Sequence, residues 1–327
     1  MSSSPEQFEL TFHGTRGTRT TTGAQNQEFG GHTTCIGLTI NGRRLVFDSG
    51  SGIVQFGQRI LGEHFATGAP GPVVSYLFHT HCHYDHICGF PYYGPLYFAD
   101  STTYVFGPRS PGLSFEQALR LYVHPPFHPV PIYEMEGTIV WGEVCEPEAI
   151  LFVKGQEAPL SVNVKHSTLR KSAPPPEDVE LVVRTLRGYN HPKSGVMMYR
   201  IEHAGRAVVI ATDTEGYVFG DRRLIQFSRG ADVLIHDAMY TRETYAETGL
   251  PTQGWGHATI DCAANVARAA GVERLYLIHH NPSHNDEELR QIEVRTQALF
   301  PGTIAARDGH TLDLLKTFDR PRPRRDP

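Results

Sequence analysis

Four apolar, β-prone runs in this chain each stop at a histidine or an aspartate. Val73–Phe78 leads into the cluster that begins at His81, Ala207–Ala211 into Thr212-Asp213, Val233–Ile235 into His236-Asp237, and Leu275–Ile278 into His279-His280. Short continuous apolar runs of this kind are what strands buried on both faces look like. Chance accounts for one or two such endings; four imply strands delivering polar groups to one rim of a sheet. Further strands are predicted at Phe8–Phe12, Ile36–Ile40 and Leu45–Phe47, the last two joined by Asn41-Gly42, a strong hairpin signal. Helix signals lie between the strands. Ser114-Phe115-Glu116-Gln117 has the form of a capping box, Thr259 and Gly271 bracket an Ala-rich segment, and Asn285 or Asp286 can cap a helix carrying Leu289, Ile292 and Leu299 on one face. Such helices packed on such strands predict a layered α/β architecture.

The first of these runs ends at His81-Cys82-His83-Tyr84-Asp85-His86. Three imidazoles and a carboxylate in six residues fit neither one helix face nor a strand alternation. A tight loop can aim His81 and His83 at one point and Asp85 and His86 at a second. Imidazole with carboxylate suits zinc, and also manganese or iron. Even in a chain with 18 histidines, a metal-binding loop is the better reading. Asp213, at the end of its run, suits a carboxylate shared between two ions. His191, fixed by Pro192 in the segment after Leu181–Arg187, and His279 complete a set; His280 remains an alternative to His279. A glycine/threonine-rich segment, Gly14 to Thr34, fits either close approach to a ligand or a plain surface loop.

The spacing His-x-His-x-Asp-His resembles the signature of the metallo-β-lactamase fold superfamily. That resemblance implies a four-layer αβ/βα sandwich with a dinuclear metal site at one edge. It divides the ligands into His81, His83 and His191 with Asp213 on one metal, and Asp85, His86 and His279 with Asp213 on the other, and it makes Asp48 a support behind them. Asp85 is expected to serve as ligand and catalytic carboxylate. Asp237, in Leu234-Ile235-His236-Asp237, and His257, in Gly254-Trp255-Gly256-His257, match a supporting acid–histidine pair of the phosphodiesterase branch, which includes tRNA 3′-processing endonucleases. In that role the histidine protonates the leaving alkoxide and the carboxylate orients it. Gly14-Thr15-Arg16-Gly17, Gly30-Gly31-His32-Thr33-Thr34-Cys35, Pro125-Pro126-Phe127-His128-Pro129-Val130 and Thr212-Asp213-Thr214-Glu215 are similar to the cyclic-nucleotide-phosphodiesterase-like group. His32 stands where that group is expected to carry Asn, and the extended arm of the tRNA endonucleases is not recognisable.

These features together lead us to expect a hydrolase with two divalent cations, zinc first, in which a metal-activated hydroxide cleaves a small phosphodiester such as a cyclic nucleotide. The rival readings are a lactonase or arylsulfatase using the same metals, and a sensor that binds a nucleotide without turning it over. His32, His124 and His128 are candidate substrate contacts, although for His124 and His128 a surface or structural role is the plainer reading. A net charge of −5 lacks the basic footprint of bulk nucleic-acid binding. No run of 18 apolar residues exists to span a membrane. The N-terminus has no signal-peptide pattern, and the five scattered cysteines read as reduced thiols. A cytoplasmic location follows as an expectation. The resemblance also suggests a homodimer. Residues 1–319 are expected to form one domain. Thirteen of the 23 prolines fall within residues 91–190, which predicts an insertion of loops and short strands there. Residues 320–327 are read as a disordered basic tail.

Overall fold

The computed structural model describes residues 6–68, 70–163, 174–217, 220–247, 249 and 251–318; the basic tail at 320–327 lies outside them. Fifteen strands are present among the described residues: β1 Phe8–Gly14, β2 Cys35–Ile40, β3 Arg43–Phe47, β4 Val73–Phe78, β5 Ser101–Pro108, β6 Thr138–Val144, β7 Glu148–Val153, β8 Leu160–Asn163, β9 Val179–Gly188, β10 Val196–His203, β11 Arg206–Ala211, β12 Val233–Asp237, β13 Arg274–Ile278, β14 Thr303–Ala305 and β15 Thr311–Asp313. They form two mixed sheets. One is ordered β15-β1-β2-β3-β4-β5-β6, the other β14-β13-β12-β11-β10-β9-β7-β8. In the first, β3 through β6 run parallel; in the second, β11 through β14 do. The remaining pairs are antiparallel, among them the β2–β3 hairpin, whose Asn41 and Gly42 both adopt the positive φ that a tight two-residue turn needs.

The sheets face one another across a core in which Phe12, Phe47, Phe78 and Tyr76 of the first meet Tyr199, Ile210, Ile235 and Tyr276 of the second. Each outer face is covered by helices. Ile53–Thr67 and Phe115–Tyr122 bury Phe56, Ile60, Phe115 and Leu119 on the first sheet. Arg222–Ser228, Ile260–Ala270 and Asp286–Leu299 bury Leu224, Ala263, Ala267, Leu289 and Ile292 on the second. The order helix, sheet, sheet, helix is the αβ/βα sandwich. The three caps read in the sequence form as such: both Ser114 and Asn285 make full capping boxes, and Thr259 accepts from the Cys262 amide.

The proline-rich stretch is a correction. Among residues 91–190, the described ones do not lie over the sandwich as an insertion; they supply β5 and β6 to the first sheet and β7 to β9 to the second. Proline breaks strands only where it falls within them, and of the 13 in this stretch Pro108 alone lies inside a strand, as the last residue of β5. The others punctuate the connections.

Candidate metal centre

The loop after β4 runs from His79 into a single helical turn, Tyr84–Ile87. His79 anchors it: its amide donates to the Phe106 carbonyl at 2.8 Å and its Nε2 lies 2.7 Å from Ser49 Oγ. Downstream, Asp85 and His86 are buried in the helical turn, and His83 stands at its N-cap. From the other sheet come His191 after β9, Asp213 after β11, Asp237 at the end of β12 and His279 after β13. Their convergence follows from topology: in open α/β sheets, sites form beyond the carboxyl ends of strands.

The donor atoms meet in two overlapping sets. His81, His83 and His191 form one; Asp85, His86 and His279 form the other. Asp213 lies between them. Its Oδ1 is 3.8 Å from His81 Nε2, 3.9 Å from His191 Nε2 and 3.2 Å from His279 Nε2, while its Oδ2 is 3.1 Å from His86 Nε2. His279 Nε2 is also 3.0 Å from Asp85 Oδ2. His191 Nε2 and His83 Nδ1 approach to 2.9 Å, a separation that suits two lone pairs sharing a proton or a cation.

The far side of three of the rings is engaged, which is how metal-ligating histidines are oriented, whereas His279 Nδ1 is buried without a hydrogen-bond partner. His86 Nδ1 lies 2.8 Å from Asp48 Oδ2, His81 Nδ1 lies 2.9 Å from Thr80 Oγ1, and His191 Nδ1 donates to the Gly256 carbonyl at 3.0 Å. Asp48, fully buried, also accepts from the Thr80 amide at 2.7 Å and from its hydroxyl. By contrast, the inward Nε2 atoms of His81 and His86 are buried without a hydrogen-bond partner. Leaving such groups unpaired costs about 1–3 kcal/mol each. Buried, unpartnered imidazole nitrogens around shared carboxylates fit divalent cations.

Two glycines make the approach possible. A Cβ on Gly17 would lie 2.2 Å from His279 Nδ1, and one on Gly256 would lie 2.4 Å from His191 Nδ1. The neighbouring Thr18 amide donates to Asp85 Oδ2 at 2.7 Å. The glycine/threonine-rich segment is thus, in part, a wall of the site. His280 turns away, with Nε2 at 2.9 Å from the Ala306 carbonyl, so the neighbour that joins the cluster is His279.

Beside this cluster, His257 Nδ1 donates to Asp237 Oδ2 at 2.8 Å, and Asp237 Oδ1 accepts from the amides of Met239 and Ala258. The His257 ring stacks on His279 at 4.7 Å. Burial opposes its charging, but the Asp237 carboxylate, with Asp213 and Asp85 behind it, prevails and pushes the imidazole up to about 9.

His32, His124 and His128 are not among the converging groups. His32 faces Ser51 and Gln55 at one wall of a cleft of about 420 Å³ also lined by His13, Thr21 and Asp308. His124 is exposed, and His128 is buried in its own loop, with Nδ1 2.7 Å from the Val130 carbonyl. Sequence reasoning also missed Glu215. Its carboxylate accepts from the Gly254 and Gly256 amides at 2.7 and 3.0 Å and from the Tyr245 hydroxyl, and its carbonyl accepts from Asn190 Nδ2. It ties the His191 and His257 loops together. Its sequence signal is its place as the last residue of Thr212-Asp213-Thr214-Glu215, which gives it no role of its own.

The family model of the beta-lactamase superfamily domain matches residues 43–280, which includes every residue of the two donor sets. The chain belongs to this family. It is a metal-dependent hydrolase of the metallo-β-lactamase fold, and the family implies divalent metal ions at the His/Asp cluster. Among relatives, ribonuclease Z of Gemmatimonas aurantiaca is 27% identical over 296 residues, covering 86% of this chain and 90% of that protein. Among solved structures, the metallo-β-lactamase fold protein YhfI of Bacillus subtilis superposes with a TM-score of 0.60 at 17% identity, over 94% of this chain and 99% of its own. Human tRNase Z, short form, does so with 0.55 at 20%, over 93% and 98%; these two likenesses speak to fold. The relatives correct one expectation. A small-molecule substrate and the absence of nucleic-acid binding do not stand beside a nearly full-length relative named ribonuclease Z. Net charge is a property of the whole chain, whereas an RNA contact needs only a local surface. Among the described residues no helix is long and apolar enough to cross a membrane.

Proposed function

We propose that this member of the metallo-β-lactamase family hydrolyses phosphodiester bonds in RNA. The observation that carries the reading is the hydrogen-bonded Asp237–His257 pair against the shared carboxylate of Asp213. Such a pair can deliver a proton to a departing alkoxide; a lactone also releases an alkoxide, and what favours an RNA phosphodiester over it is the likeness to ribonuclease Z.

Two divalent cations, zinc on the strength of the nitrogen–oxygen donor set, would be held by His81, His83, His191 and Asp213 and by Asp85, His86, His279 and Asp213; when bound, such ions acidify water and neutralise phosphoryl charge. The rest is the work of the chain. Asp48 and Thr80 fix the tautomers of His86 and His81. Asp237 orients His257 and favours its protonated form, and Nε2, which hydrogen-bonds nothing among the described residues, is the atom left to give up the proton. As the water oxygen bonds to phosphorus and the ester P–O bond breaks, that proton goes to the departing oxygen.

The test is a side-by-side measurement of kcat/KM on a tRNA precursor with a 3′ extension, bis-p-nitrophenyl phosphate, an aryl sulfate and a lactone, with elemental analysis of the purified protein. The RNA should exceed the others. Greater activity on the lactone or the aryl sulfate refutes the proposal.

A further inference from the structure

Three segments that carry centre residues also carry a large aromatic side chain left in water. Tyr189 precedes Asn190-His191, Tyr217 follows Asp213 by four residues, and Trp255 precedes His257 by two; they are 71%, 50% and 53% exposed. Isolated exposed aromatics are ordinary, but these three sit on loops that are bolted together. Asn190 Nδ2 donates to Thr214 Oγ1 at 2.8 Å and to the Glu215 carbonyl; the Glu215 carboxylate holds the amides on either side of Trp255; and His191 Nδ1 holds the Gly256 carbonyl. Rigid loops presenting rings to solvent are preorganised for a partner with flat faces. Cationic side chains lie nearby, one of them, Arg223, paired with Glu146. The Arg223 guanidinium lies 5.6 Å from the centre of the Tyr189 ring, and Lys193 and Arg222, both exposed, have no hydrogen bond or ion pair among the described residues.

We propose that Tyr189, Tyr217 and Trp255 form a stacking platform for the unpaired bases of a single-stranded RNA segment next to the bond to be cut, with Lys193 and Arg222 meeting its phosphates. This rests on the RNA reading above and adds which part of the RNA is gripped. Bases within a duplex are already stacked on one another, so only a single strand can offer its π-faces to these rings.

The chain has two tryptophans, so Trp141→Phe leaves Trp255 as the sole reporter in the metal-loaded protein. A phosphorothioate RNA octamer should quench its fluorescence saturably, and the same octamer annealed to its complement should not. By fluorescence anisotropy of a dye-labelled octamer, which needs no tryptophan, Trp255→Ala and Tyr217→Ala should each weaken binding about tenfold, Trp255→Phe should restore most of it, and the ratio of kcat/KM on RNA to that on bis-p-nitrophenyl phosphate should fall in step. Unchanged octamer binding by the Trp255→Ala/Tyr217→Ala double variant, while the parent still cleaves RNA, overturns the platform alone. A parent that hydrolyses bis-p-nitrophenyl phosphate yet neither binds nor cleaves any RNA overturns the RNA reading and the platform with it. Equal binding of duplex, or variants that alter only self-association in the ultracentrifuge, likewise overturns the platform, the latter by making this face a protein contact.

Discussion

Asp48 touches no candidate cation position directly, and its replacement by Asn isolates what it does. The side chain is buried at a left-handed backbone position (φ 61°), which Asn tolerates as Asp does, so backbone strain is held constant. Oδ1 accepts from the Thr80 amide, and Oδ2 accepts from His86 Nδ1 at 2.8 Å. In Asp48→Asn the amide oxygen keeps its place toward the Thr80 amide, and an NH2 group replaces the oxygen facing His86. Two N–H groups then oppose each other. The cheapest escape is for His86 to move its proton from Nδ1 to Nε2, the atom that points at Asp213 Oδ2 from 3.1 Å, and a protonated Nε2 cannot ligate. Loss of such an outer partner costs roughly 10–100-fold in metal affinity, or about 1.4–2.7 kcal/mol. The loss should fall on one equivalent only, because His81 and His191 are held by Thr80 and Gly256, and His83 lies against His191, none of them bonded to Asp48 directly. Competition of apoprotein with a chromophoric chelator should show one equivalent taken up as in the parent and a second weakened by that factor. Apoprotein melting should move by only the 1–3 kcal/mol or so of one imperfect buried hydrogen bond. Two equivalents bound within about threefold of the parent affinity would show that His86 does not depend on Asp48, and the tautomer argument would fail.

Other perturbations reach different parts of the site. His257→Ala should retain both metal equivalents by elemental analysis and lose roughly 10²–10⁴ in kcat on a phosphodiester; turnover at the parent rate would remove His257 from the chemistry. Gly17→Ala places a methyl 2.2 Å from His279 Nδ1 and 2.7 Å from Met239 Cε, so His279 must give way and metal occupancy should drop, whereas full occupancy would show the ring to be free to move. Burial, with Arg59 adding to it, pushes His13 down to about 4. Its folded value lies below the unfolded value of about 6.5, so the unfolded chain binds more protons between these limits, and stability is full above pH 6.5 and lost as pH falls toward 4. Urea titrations of parent and His13→Gln should diverge by up to about 3 kcal/mol across that window, and parallel curves would contradict the assignment.

The strands that carry the centre were readable because burial on both faces leaves no polar residue within the run, so β4, β11, β12 and β13 stand out as apolar blocks ending at His or Asp. The strands from β5 to β9 were not. Some lie toward sheet edges and alternate, as in the exposed and half-buried pattern of β6, and prolines in the connections hid the regularity of what they connect. Within the site, the ligand types declared themselves, but choosing His279 over His280 required the register of β13 with its neighbours. Glu215 acts through backbone amides, which leave no mark on residue type, and the glycines of residues 14–34 signalled close approach without showing that Gly17 lies against His279. Trp255 and Tyr217 were passed over because exposed aromatics carry no sequence pattern of their own.

The backbone itself records where folding gave way to chemistry. Asp48 and His279 directly follow the last residue of a strand and Asp213 comes one residue later, and each has positive φ, at 61°, 62° and 53° respectively. A non-glycine residue held there costs on the order of 1 kcal/mol or more, and glycine would relieve it. Glycine, however, has no side chain to present. A left-handed residue at a strand end turns the chain sharply, which lets the next segment leave the sheet while a carboxylate or imidazole stays at the rim. Aspartate tolerates this geometry better than most residues because its short side chain bonds locally; His279 has less reason to adopt it apart from its contacts with Asp85 and Asp213. The strain is therefore sustained by the cluster that it helps to build. It follows that Asp213→Gly and His279→Gly should unfold at higher temperature than the corresponding alanine variants while sharing their loss of metal. An order of stability with alanine above glycine at both positions would show that these conformations are not strained.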